Sequence, residues 1–204
     1  MDIPFFLRGL IIGFSIAAPV GPIGVLCIRR TLTDGRLNGL FSGLGAATAD
    51  AIYGCIAGFG LTFISSLLVS QVFWLRLIGG GFLCYLGVKT LMSKPAKQAA
   101  SSQSHSLLGA YLSTVFLTLT NPATILSFVA VFAGLGLAST AGSYLTASVL
   151  VAGVFLGSAL WWLLLSGGVS LLRSHFDPHR LVWLNRISGL ILIIFGIIAL
   201  SPYG

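Results

Sequence analysis

LLGAYLSTVFLTLTNPATILSFVAVFAGLGLASTAGSYLTASVLVAGVFLGSALWWLLLSGGVSLL runs from Leu107 to Leu172 without one Asp, Glu, Lys or Arg. About 20 apolar residues at roughly 1.5 Å each cross a bilayer core about 30 Å thick, so the stretch has room for two spanning helices and the turn between them. The Gly- and Ser-containing run 134–143 is the natural place for that turn. This predicts helix four over about 107–135 and helix five over about 144–171.

The rest of the chain follows the same rule. Hydrophobic residues make up 56%, charged residues only 7%, and the mean hydropathy is +1.03, a balance that a water-soluble domain cannot cover with polar surface. Upstream, the charge-free run between Arg8 and Arg29 predicts helix one over about 4–28. It runs on past the small-residue triplet Ser15-Ile16-Ala17, so we read a spanning helix rather than a cleaved secretory signal. Arg29, Arg30, Asp34, Gly35 and Arg36 read as a polar turn, helix two spans about 39–63, and helix three about 73–92, with Trp74, Arg76, Lys89 and Lys94 as interfacial anchors. Residues 173–180 form another polar turn before helix six at about 182–200. The expected fold is an all-α integral membrane protein of about six transmembrane helices in one domain, 1–204.

The polar segment 93–106 (SKPAKQAASSQSHS) is the only stretch of linker composition, and it separates halves of about 1–92 and 107–204. Each half holds three helices. An odd count means that two similar halves must be inverted relative to each other, a 3+3 inverted repeat. Nine of the eleven Lys and Arg flank the loops after helices one, three and five, which the positive-inside rule places in the cytoplasm of a bacterial inner membrane, with both termini outside. The basic residues are spread as topology markers, so the net charge of +7 does not indicate a nucleic-acid partner. Gly-x-x-x-Gly spacings begin at Gly9, Gly35, Gly39, Gly54 and Gly153, close to chance for so many glycines; a homodimer is left open but not inferred from them.

Three features carry chemistry. Pro19, Gly21 and Pro22 remove donors and stiffness from the middle of helix one, and a helix broken at membrane depth is tolerated only against protein or a water-filled cavity. Thr120, Asn121 and Pro122 do the same in helix four, whose 29 or so residues would otherwise reach about 43 Å, so helices one and four are expected to be broken. Matched interruptions in two halves point to a transport site. Asp50 is the third: the chain has only four acids, all Asp, and this one sits near the middle of helix two. A carboxylate there costs at least about 2.5 kcal/mol and implies a polar interior and a purpose, either proton carriage or pairing with a substrate ammonium. Ala46, Ala47, Tyr53 and Gly54 lie a turn away on a narrow face. Cys27, Cys55 and Cys84 have no metal spacing and read as apolar filler, the three His read as loop residues, and Trp161-Trp162 reads mainly as packing. No metal site, cofactor or catalytic group is expected.

Together, Pro19-Val20-Gly21-Pro22, Asp50 in a Gly-rich helix two, and Asn121-Pro122 make the chain resemble the LysE/RhtB family of amino-acid exporters over essentially its whole length. Two details depart from the family pattern: Val20 interrupts Pro-Gly-Pro, and Ala49 precedes Asp50 in place of Gly. The resemblance implies a secondary transporter, not an enzyme, exporting amino acids or similar small polar metabolites and coupled to the ion gradient, with H+ as the expected ion. Six-helix thiol-redox conductors similar to CcdA and DsbD share the layout, but they need a cysteine in helix four, which is absent here. A divalent-metal exporter would have one intramembrane carboxylate and no His to work with.

Overall fold

The computed structural model describes residues 3–19, 21–59, 70–92, 106–134, 144–172 and 178–201, and among these there are eight helices and no strand. In chain order they are α1 (Ile3–Ala17), α2 (Pro22–Thr33), α3 (Arg36–Gly58), α4 (Val72–Leu91), α5 (Leu107–Leu119), α6 (Pro122–Gly134), α7 (Tyr144–Leu172) and α8 (Pro178–Leu200). Among the described residues α3, α7 and the stretch Val182–Leu200 of α8 are each long and apolar enough to cross a membrane; two bent pairs, α1 with α2 and α5 with the first part of α6, raise the number to five. Of the expected linker 93–106 and the expected turns 134–143 and 173–180, residues 93–105, 135–143 and 173–177 lie outside the described residues, as do 60–69, where helix two was expected to end.

Proline decides where the long helices bend. The axes of α1 and α2 differ by 80°, and those of α5 and α6 by 60°. At 29 residues α7 is as long as the whole expected helix four, yet it runs unbroken. Length therefore does not impose the bend; α7 has no proline, whereas Pro122 withholds the amide that would continue α5 into α6.

The first polar turn is shorter than the sequence suggests. Arg29 and Arg30 belong to α2, and only Asp34-Gly35 separates α2 from α3. Gly35 has φ 104° and ψ 164°, a region essentially confined to glycine, and this lets the chain reverse within two residues. The arginines stay helical because partners on neighbouring helices receive them: Arg29 Nε donates to Asn185 Oδ1 at 2.9 Å, and Arg30 bonds to α3 and α5. His179, expected in a loop, lies in the first turn of α8.

Small residues set how closely the helices pack. In lipid there is no hydrophobic drive between helices, so association rests on close contact. α1 lies along α7 with Gly9 and Gly13 facing Gly153 and Gly157; a Cβ at Gly9 would strike the Leu150 carbonyl, and one at Gly157 the Leu10 carbonyl. Two of the Gly-x-x-x-Gly spacings thus meet each other within the chain. α4 pairs with α8 through Gly80 and Gly87 against Gly196 and Gly189, a reciprocal contact in which each glycine faces its partner's carbonyl. α3 crosses α7 and also packs on α5. The outward faces carry large apolar side chains such as Ile187, Leu190, Ile194 and Ile197 on α8, as a lipid-facing surface requires.

Candidate functional site

The bend between α5 and α6 leaves backbone groups that need new partners. Pro122 has no amide, and the Thr118 carbonyl is taken instead by Asn121 N at 3.2 Å. Ala123 N turns to Asn121 Oδ1 at 3.2 Å, which makes Asn121 the side-chain cap of α6, while Thr124 N and Ile125 N both reach the Asn121 carbonyl. The Leu119 carbonyl, deprived of Ala123 N, accepts the Tyr53 hydroxyl at 2.6 Å. The Thr120 hydroxyl bonds back to the Phe116 carbonyl at 2.8 Å. The Thr120 carbonyl faces Gly79 of α4, where a Cβ would come within 2.6 Å of it. What Asn121 can still offer a solute is its Nδ2 amide, since capping occupies Oδ1.

The bend between α1 and α2 is capped differently. Its N-cap, Gly21, is extended and has no side chain, so α2 starts on Pro22 without a side-chain cap. Proline at the first helical position is pre-set for this role, because an amide there has no intrahelical partner in any case.

Asp50 lies on α3 and is 3% exposed. Its Oδ2 accepts the Ser158 hydroxyl of α7 at 2.6 Å, and Ser158 Oγ in turn accepts Trp162 Nε1 at 3.2 Å. Ser158 and Trp162 stand one turn apart on α7, so a single helix face holds both members of the chain. Such a network fixes the carboxylate's orientation without neutralising it.

A cavity of about 460 Å³ connects these pieces. Pro19, Gly21 and Pro22 line it from the first bend, Thr120, Asn121 and Pro122 from the second, and Asp50, Ala46 and Trp162 from α3 and α7. All seven residues singled out from the sequence therefore border one space. It is also bordered by Arg76 near the start of α4 and by Ile198 and Ala199 near the end of α8. Much of the remaining wall is apolar, including Ile16, Leu83, Leu117 and Leu126.

Arg76 differs from its expected role. The sequence reads it as an anchor reaching for the interface, whereas in the structure it borders the cavity with its Nε buried. A basic residue near a helix start carries the same sequence signal in either case, so only the helix face distinguishes them: Gly79, Gly80 and Leu83 follow it at cavity-lining positions. Ser158 and the bonding role of Tyr53 were likewise not legible. Ser158 sits in a charge-free run with several serines, and Tyr53's acceptor is a main-chain carbonyl freed by a proline on another helix.

No group of three or more His, Cys, Asp or Glu is placed to hold a metal ion among the described residues. Cys27 is buried and donates to the Gly39 carbonyl at 3.2 Å.

Residues 14–201 match the LysE type translocator family. The chain belongs to this family. It is a multi-pass membrane protein of a transporter family. It is 30% identical over 196 residues to the "Putative amino acid efflux protein YcgF" of Bacillus subtilis (strain 168), covering 94% of this chain and 92% of that one. It is 25% identical over 177 residues to the "Uncharacterized membrane protein YahN" of Escherichia coli (strain K12), covering 83% and 77%. To the "Uncharacterized membrane protein YrhP" of Bacillus subtilis (strain 168) it is 26% identical over 187 residues, covering 85% and 87%. No solved structure matches the chain.

Proposed function

We propose that this translocator exports amino acids or close analogues across the bacterial inner membrane through the cavity between its two helix bends, in exchange for protons. The observation that carries the reading is the position of Asp50, the one acid along α3, α5, α6 and α7, on a cavity shared with both bends. A buried carboxylate in a translocator serves as a proton carrier or as a counter-charge to a substrate ammonium. The amino-acid efflux named for the Bacillus subtilis relative supplies the substrate class and the direction.

The packing supports a 3+3 inverted repeat with six spans, α4 being the sixth at 20 residues. Exchanging α1 and α2 with α5 and α6, α3 with α7, and α4 with α8 carries the α1–α7 contact onto the α5–α3 contact and returns α3–α7 and α4–α8 to themselves. With the arginine-rich loops in the cytoplasm, Arg76 and Ile198 border the cavity from the outer ends of α4 and α8, and the Arg29 and Arg30 contacts tie the helices together at the cytoplasmic end. One copy of the chain suffices, because the cavity lies within it.

Inverted membrane vesicles with an acidic lumen test the reading, since export then becomes uptake. Gradient-dependent accumulation of at least one radiolabelled proteinogenic amino acid, abolished by a protonophore, is the expected result. If none of the twenty accumulates above vesicles lacking the protein, the proposal is wrong.

A further inference from the structure

We propose that Arg76 is the carboxylate-binding residue of this cavity, gripping the acid end of a substrate whose ammonium faces Asp50. The proposal rests on the export reading above and narrows its substrate to neutral amino acids with both charged groups free.

Arg76, Gly79, Gly80 and Leu83 border the cavity at helical spacing, so α4 presents one face to it. Gly79 brings that face against the second bend, beside the Thr120 carbonyl, while Gly80 packs on Gly196 and Leu200 of α8. Two buried polar atoms at the cavity have no hydrogen-bond partner among the described residues: Arg76 Nε and Thr118 Oγ1, the latter on a residue 1% exposed. An unpaired buried donor is costly, more so for a charged group, and a guanidinium presents its N–H groups as a fork suited to a carboxylate. Each can bond to a solute in the cavity, Arg76 Nε as a donor and Thr118 Oγ1 as donor or acceptor.

The backbone amides at this bend are already in use, which leaves the Asn121 Nδ2 amide as a neutral donor beside the Arg76 cation. Asn121 engages the Ala123, Thr124 and Ile125 amides, so the N-terminus of α6 has little to give an anion. Asp50 takes its bond from Ser158. The cavity therefore presents one cation and one anion on separate helices in an otherwise largely apolar lining, which is the charge pattern of a zwitterion. A second charge on the substrate side chain would face apolar wall without a partner.

Counterflow in proteoliposomes tests this with leucine and isoamylamine, the same molecule with and without its carboxylate, each of the twenty amino acids being screened first. In the wild type an amino acid should exchange and its matched amine should not compete. Arg76→Gln should weaken amino-acid competition at least about tenfold, the loss expected for one charge-assisted contact, while Arg76→Lys should retain part of the preference. Thr118→Val gives an independent, smaller loss in the same assay. Amino-acid exchange by Arg76→Gln at wild-type strength, or equal competition by the amine in the wild type, overturns the Arg76 assignment and leaves the exporter reading standing. Exchange of no amino acid by the wild type overturns both.

Discussion

Arg30 and Arg76 stand at opposite ends of the bundle and are held in opposite ways. Arg30 Nη1 donates to Ser42 Oγ at 2.8 Å, the Ala110 carbonyl at 3.0 Å and Thr114 Oγ1 at 3.0 Å, and its Nη2 to Ser113 Oγ at 2.9 Å, tying α2 to α3 and α5. Arg76 borders the cavity with its Nε unpartnered among the described residues. Both are arginines in mostly apolar surroundings, and both would pass in sequence as interface markers. The difference teaches that a charge in a membrane bundle serves structure where protein groups meet its donors, and is available to a ligand where they do not.

That contrast breaks most readily at the sealed end. Arg30→Gln removes the charged donor shared by Ser42, Ser113, Thr114 and the Ala110 carbonyl and should cost roughly 2 to 3 kcal/mol, seen as a lower midpoint of thermal unfolding in detergent. Arg76→Gln should leave that midpoint unchanged or raise it, since it removes a buried donor without an acceptor. Equal destabilisation by the two substitutions would erase the distinction. Gly79→Ala probes the Arg76 side by another route: its Cβ meets the Thr120 carbonyl, so α4 must move away from the bend, at about 1 to 3 kcal/mol. Wild-type stability there would show that α4 and the bend do not touch. The smallest effect sharpens the account of the bend itself. Tyr53→Phe leaves the Leu119 carbonyl without its bond and should cost about 1 kcal/mol, with hydrogen exchange faster around residues 119–123 than elsewhere.

The membrane character and most helix positions were legible in the sequence, because charge-free runs of spanning length admit few other readings. Where helices one and four were expected to break, the described residues hold helix pairs bent by 80° and 60°, with Pro22 and Pro122 each starting the second helix. Length misled where it was used as an argument, as unbroken α7 shows. The placement of Asp50 was legible because acids are so scarce that a single one in an apolar run stands out. Arg30 was misplaced by a local rule, which reads adjacent arginines as a loop when most of their partners lie 80 or more residues along the chain. Arg76 and Ser158 depend on which helix face turns inward, and apolar periodicity is weak in helices that are hydrophobic all round.

The measurement closest to the central claim compares wild type and Asp50→Asn in proteoliposomes, in gradient-driven transport and in equilibrium exchange of the same amino acid. Asp50→Asn should abolish gradient-driven transport. Retained exchange would identify Asp50 as the proton carrier, and loss of both would identify it as the ammonium's counter-charge. Gradient-driven transport at the wild-type rate by Asp50→Asn would contradict the account.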